Sequence, residues 1–205
     1  MKLFYYVDPK KNFGDELNAW LWDRLAPGLF DDDASTLVLG IGSIIHDEVP
    51  RAKNKIIFSS GLGCGYFPQD YSEEWNIISV RGPLTKQILK LPKGKDVTDG
   101  AILLATLKEC RPIDVNERDG DVVYMPHHTP LDYSSWQEVC ERANIGFVSP
   151  RTDSPDVIKV IKNAKLVIAD AMHAAIVADT VRVNWIPVCG TPISNFLNGT
   201  IGQDR

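Results

Sequence analysis

From Asp121 to Val188 the chain alternates short apolar runs with segments of helical character, and this restricts the fold more than any other feature. The runs DVVYMP (Asp121 to Pro126), NIGFVSP (Asn144 to Pro150), KLVIAD (Lys165 to Asp170) and RVNWIPV (Arg182 to Val188) have the length of buried strands. Between them, SSWQEVCERA begins on a serine cap. In SPDVIKVIKNA, Ser154 stands as N-cap, Pro155 as first helical residue and Asp156 in the first turn. The alanine-rich stretch Ala171 to Asp179 is a third helix. Strands separated by helices over such short connections imply βαβ units and a parallel sheet. This half reads as a Rossmann-like unit.

The first half is less regular but follows the same alternation. LFYYV is a strand, and a helix from Asp15 to Leu25 follows it, with Leu17, Trp20, Leu21 and Leu25 near a 3.6-residue period. TLVLGIGSII, NKIIFSSGLG and WNIISV read as three more strands, and RGPLTKQILKL and DGAILLATL as two helices. The polar, turn-rich CRPIDVNERDGD (Cys110 to Asp121) is the expected linker. The expectation is therefore an α/β protein of two Rossmann-like domains, residues 1–113 and 114–205.

At 205 residues the chain has room for one large or two small α/β domains. A net charge of -5 leaves no basic excess to neutralise phosphates, which argues against a nucleic-acid binder. A few cations and backbone N–H groups can still gather one small anion. The cysteines (Cys64, Cys110, Cys140, Cys189) form no C-x-x-C pair and suit buried or idle thiols in a reducing cytoplasm. No apolar run approaches the ~20 residues of a membrane span, and the start lacks a signal peptide's apolar core. The expected setting is cytoplasmic.

Ligands of parallel α/β sheets bind beyond the carboxyl ends of the strands, where helix N-termini also point. Asn12, Gly14 and Asp15 of NFGDE sit there, at the start of the first helix. So do Gly42 and Ser43 of GIGS, and Gly61 and Gly63 of SSGLGCG, whose glycines let backbone approach a phosphate. Arg81 in SVRGPLT stands between a strand and a proline-marked helix start, a good clamp for carboxylate or phosphate. His127 and His128 end another strand. As consecutive residues they are expected to point in different directions, so they make a poor metal pair and one of them faces a cleft. His173 falls where KLVIAD passes into its helix. Three of the four histidines thus follow strands of the second half, a placement suited to proton transfer.

NFGDEL, GIGS, SVRGPLT, VTDGAILL, MPHH and KLVIADAMHAAIVAD followed by VNWIPV resemble, in order and spacing, the polysaccharide pyruvyltransferases. The likeness is to the branch that adds pyruvate ketals to exopolysaccharides such as succinoglycan, and it runs from Phe4 to Val188. It implies a GT-B-like pair of Rossmann-like domains, phosphoenolpyruvate as donor, and a polymeric or lipid-linked saccharide acceptor. A lipid-linked acceptor would bring the protein to the inner face of the membrane as a peripheral partner. The resemblance makes Arg81 a donor-holding residue and His173 the proton-transfer residue. Many members carry arginine two residues before that histidine, where this chain has Ala171. The family usually continues with further helices where this chain has TPISNFLNGTIGQDR, so a shortened C-terminus is expected.

Protonating the methylene carbon of phosphoenolpyruvate and adding two hydroxyls needs an acid and a base, which His173 with His127 or His128 would supply. No cofactor or metal is required, and no metal-ligand spacing is visible. Two other readings share these features. One is a GT-B glycosyltransferase using a nucleotide sugar, since fold does not dictate function. The other is a family member that binds but does not catalyse.

Overall fold

The structure is a computed structural model that describes residues 1–63, 74–132 and 135–190, with the side chains of Thr129 and Pro130 left undescribed. It is α/β, with two parallel four-stranded sheets. Contacts divide the chain into two units. The first holds Met1–Asp8 and Leu17–Ile102, and the second holds Pro9–Glu16 and the chain from Leu103 on. The polar stretch of the sequence predicts one boundary, at 113/114. The contacts put the change at Ile102/Leu103, and they assign the short segment ahead of the first helix to the second unit.

In the first unit β1 (Lys2–Phe4), β2 (Thr36–Leu39), β3 (Asn54–Ser60) and β4 (Trp75–Val80) pair side by side in chain order. Leu37, Leu39, Ile57, Ile77 and Val80 are buried in one core with Ile44, Ile45 and Val49. Helix α1 (Phe13–Leu25) connects β1 to β2 and sets the edge of Trp22 on Phe58, with ring centroids 5.5 Å apart. Asn18, fully buried on this helix, ties it to the end of β2. Its Nδ2 donates to the Ile41 carbonyl at 2.8 Å, and its Oδ1 accepts the Ile41 N–H at 2.8 Å and the Trp22 indole N–H at 3.2 Å.

Three segments differ from the sequence reading. TLVLGIGSII is a strand only over Thr36–Leu39. Gly42, at φ 128°, turns the chain away from the sheet. DGAILLATL is 3₁₀ over Gly100–Thr106 rather than α-helix, because the Asp99 side chain and carbonyl take the N–H groups of Ala101 and Ile102 in a tight turn. Helix α2 (Pro83–Ile88) ends early, capped at Leu89, and Lys90 just beyond it is left-handed at φ 51°.

The second unit places β5 (Val122–Met125), β6 (Gly146–Phe147), β7 (Leu166–Ala169) and β8 (Trp185–Pro187) in the order β6-β5-β7-β8. Helix α3 (Trp136–Ala143) joins β5 to β6, α4 (Ser154–Asn163) joins β6 to β7, and α5 (Met172–Thr180) joins β7 to β8. Asn144, left-handed at φ 53°, ends α3. Helix α4 is capped one residue earlier than Ser154: Asp153 is its N-cap, and the Asp153 carboxylate pairs with Lys11 instead of closing on the helix. Helix α5 packs on β7 and β8 with Ala174, Val177 and Ala178 fully buried, the small side chains allowing close approach. Cys110 and Cys140 are buried, whereas Cys189 is exposed. No helix among the described residues is long and apolar enough to cross a membrane.

Replacing Asn18 by alanine strands the buried Ile41 amide and the Trp22 N–H together. Unfolding in urea should show a loss of about 3 kcal/mol with little change in m value.

Candidate active site

The strand order of the second unit sets a topological switch point between β5 and β7. From β5 the chain moves to one side to form β6, then crosses to the other side to form β7. The carboxyl ends of β5 and β7, on either side of this switch, are the usual ligand position of such a sheet. His127 and His128 follow β5, and Asp170, Ala171 and His173 follow β7. Backbone bonds bring the turns together: the N–H groups of Asp170 and Ala171 both donate to the Met125 carbonyl, at 3.1 and 3.3 Å.

Asp170 binds three turns into one object. Its Oδ2 accepts the His127 N–H at 3.1 Å and its Oδ1 accepts the Gly190 N–H at 3.1 Å. Tyr124 lies beneath it, edge-on to Trp136 with centroids 5.1 Å apart. Burial, and then the neighbouring Asp170 charge, push the Tyr124 hydroxyl well above the ordinary tyrosine range. The rings of His127 and His128 lie 4.4 Å apart at a 42° tilt, which corrects the expectation that they diverge. The chain has left the strand after Met125, so strand alternation no longer separates neighbours.

His173 is half-buried in the first turn of α5. The Nδ1 edge of its imidazole rests on Gly14, so closely that a β-carbon at residue 14 would overlap it. A glycine here gives up about 1 kcal/mol of helix propensity relative to alanine, and in return the ring can approach the backbone.

The segment that presents Gly14 is clamped to the second unit. The Phe13 N–H donates to the Pro150 carbonyl at 2.7 Å. Lys10 pairs with Asp132 at 2.7 Å, Lys11 with Asp153 at 2.5 Å, and Arg151 with Asp132 at 2.9 Å. Lys11 takes a left-handed conformation at φ 63°, uncommon for a side-chain-bearing residue, which bends the chain just ahead of the helix. Asn12 donates to the Asp15 carboxylate at 2.7 Å, and its carbonyl accepts the Asp15 and Glu16 N–H groups. Asn12 and Asp15 thus build the helix start that Gly14 belongs to.

The first unit carries a separate cluster around Arg81. The turns after β2 and β3 are laced by backbone bonds: Gly61 N–H to Gly42 carbonyl at 2.9 Å, Ile45 N–H to Gly61 carbonyl at 3.1 Å, and Gly63 N–H to Ile45 carbonyl at 3.0 Å. The Arg81 N–H donates to the Ser60 carbonyl at 3.0 Å and brings in the turn after β4. Its guanidinium donates to Ser43 Oγ at 2.7 Å and stands 3.8 Å from the Asp99 carboxylate, which is 4% exposed. It lies flat on Gly61, where a β-carbon would overlap it. Gly63 abuts the Ser43 carbonyl and the His46 ring. This fixed fork, partly exposed, suits a carboxylate or phosphate.

The expected site residues therefore fall into two groups. Gly42, Ser43, Gly61, Gly63 and Arg81 meet in the first unit, and Asn12, Gly14, Asp15, His127, His128 and His173 belong to the second. Cys64 and Gly65 of the SSGLGCG motif lie outside the described residues. Asp99 and Asp170 escaped the sequence reading. Their signal was available, since each is an acid at the edge of an apolar run (VTDGAILL and KLVIAD). Among the described residues no three His, Cys, Asp or Glu side chains gather around a point that could hold a metal ion.

Two outcomes test this construction. Gly14→Ala should leave a folded protein whose His173 ring is displaced, visible as a changed imidazole environment in histidine NMR spectra. Asp132 offers a second test: Arg151 first, and then Lys10, hold its carboxyl at about 2. A depressed carboxyl contributes stability that is complete above its ordinary value near 3.8 and is lost as pH falls through about 2. Carboxyl NMR should find the Asp132 midpoint near 2, moving up toward 3.8 in Arg151→Met.

Comparison with known proteins adds three findings. The model of the family described as polysaccharide pyruvyl transferase matches residues 2–188. The succinoglycan biosynthesis protein ExoV of Rhizobium meliloti (strain 1021) is 35% identical over 192 residues, covering 92% of this chain and 59% of that protein. This chain thus spans less than two thirds of that relative's length. A functionally uncharacterised protein of Klebsiella pneumoniae, solved by crystallography, shares the fold with a TM-score of 0.55 and 16% identity, over 98% of this chain and 89% of that one.

Proposed function

The chain belongs to the polysaccharide pyruvyl transferase family, and on that premise we propose that it moves pyruvate from phosphoenolpyruvate onto two hydroxyls of a saccharide, forming a ketal. The observation that carries the reading is the family match across residues 2–188, which contains both Arg81 and His173. Support comes from the position of His173 just after β7, at the switch point of the second sheet, and from the fixed guanidinium of Arg81.

Phosphoenolpyruvate joins a carboxylate, an enol phosphate and a terminal methylene. A proton delivered to the methylene carbon makes it a methyl group and leaves oxocarbenium character on the central carbon. One sugar hydroxyl adds there. The carbon–oxygen bond to phosphate then breaks, and the second hydroxyl adds in its place. Of the two hydroxyl protons released, one replaces the proton spent on the methyl group and the other leaves with inorganic phosphate, so atoms and charge balance.

In this scheme Arg81, on its Ser43 and Asp99 supports, holds the carboxylate or phosphate of the donor. His173 delivers the proton to carbon, and His127 or His128 takes protons from the hydroxyls. The scheme needs no cofactor and no metal. The setting is the cytoplasm, with peripheral association at the inner membrane face where the acceptor is lipid-linked.

Phosphate release from phosphoenolpyruvate should depend on a glucose- or galactose-containing acceptor and leave an acid-labile ketal on the sugar. His173→Ala should lower kcat by about a hundredfold or more, and Arg81→Lys should chiefly raise the KM for phosphoenolpyruvate. Full activity in His173→Ala would remove its assigned role. A thermal shift with UDP or GDP and none with phosphoenolpyruvate would favour a nucleotide-sugar transferase instead.

A further inference from the structure

The second unit contains a pocket of about 460 Å³ that the scheme above leaves unused, at the carboxyl end of β6 and the start of α3. Its volume lies within the range of small-molecule sites. Trp136 and Phe147 line it with aromatic surface, while Glu138, Glu141, Ser149 and Arg151 supply polar groups. The combination is selective. Two carboxylates accept hydroxyl hydrogen bonds and repel an anion such as phosphoenolpyruvate or a nucleotide diphosphate. The single cation, Arg151, is already paired with Asp132 at 2.9 Å. Aromatic faces beside such acceptors fit a neutral ring with one apolar face and an edge of hydroxyls, which is the surface of a pyranose.

The pocket also adjoins the candidate catalytic histidine along the chain itself. Ser149 and Arg151 are lining residues, and the Pro150 carbonyl between them holds the Phe13 N–H at 2.7 Å. The next residue is Gly14, on which the His173 ring rests. Asp132 joins Arg151 to Lys10 of the same segment. One wall of the pocket and the support of His173 are therefore the two sides of a single braced turn.

We propose that this pocket is a saccharide-binding subsite that receives a neutral sugar ring of the acceptor, with Trp136 as its platform and Glu138 and Glu141 as hydroxyl acceptors. The assignment of that sugar as the acceptor rests on the pyruvyl-transfer reading, whereas sugar binding at Trp136 does not.

The test is a titration of the full chain with cellotetraose and with lactose, without phosphoenolpyruvate, followed by saturation-transfer NMR and calorimetry. At least one sugar should bind saturably. Trp136→Ala should weaken binding about tenfold or more, and Glu141→Gln, on the exposed face of α3, should weaken it several-fold while leaving the melting temperature in place. Should Trp136→Ala fail to fold, the Glu141→Gln titration decides alone. Absence of saturable binding to either sugar, or unchanged affinity in the folded variants, overturns the proposal. Binding of spermidine in place of both sugars overturns it as well, since the carboxylates would then be a polyamine site. Failure of phosphoenolpyruvate-dependent phosphate release, with Trp136-dependent sugar binding intact, would sink the transfer reading and leave the subsite standing.

Discussion

The Asp170 carboxylate accepts the backbone N–H groups of His127 and Gly190, and through them one side chain holds the turns that leave β5, β7 and β8. A parallel sheet ends in unpaired backbone at its carboxyl edge, and those groups must find partners in the turns above it. Because the chain reverses its direction of travel between β5 and β7, this edge is the topological switch point of the sheet. His127 and His128 follow β5 at this edge, and His173 lies in the first turn of α5, which follows β7.

The same economy of backbone contact recurs twice, each time through a glycine. At Gly14 the missing side chain lets the His173 ring lie on the first turn of α1, and at Gly61 it lets the Arg81 guanidinium lie on the turn after β3. In both places a long or bulky side chain is held by contact with main chain, with a buried or paired acid close by. Asp99 serves Arg81 in this way, and Asp132 braces the segment that carries Gly14.

Much of this was legible in the residues. The apolar runs of the second half predicted its strands and helices, since a buried parallel strand and an amphipathic helix each leave a local pattern. Arg81 and His173 stood out because each follows an apolar run and opens a helix. The strand expected over TLVLGIGSII and the helix expected over DGAILLATL failed for a common reason. Apolar content does not distinguish a strand from the buried turn that continues it, and Asp99 turned the second segment into 3₁₀ through a side-chain bond that no periodicity records. Asp99 and Asp170 were passed over because an acid at the end of an apolar run looks like any cap until its partners are known.

By itself the sequence determined the α/β class, the parallel pairing of the second half, and the family, because these depend on local patterns and on the order of short motifs. Which side of β5 each later strand joins was decided only by the tertiary structure, and with it the position of the switch point. The same holds for the pairing of Gly14 with His173, of Gly61 with Arg81, and of Asp132 with both Lys10 and Arg151. Each joins residues distant in the chain through packing or charge, and a contact of that kind leaves no mark on either segment alone.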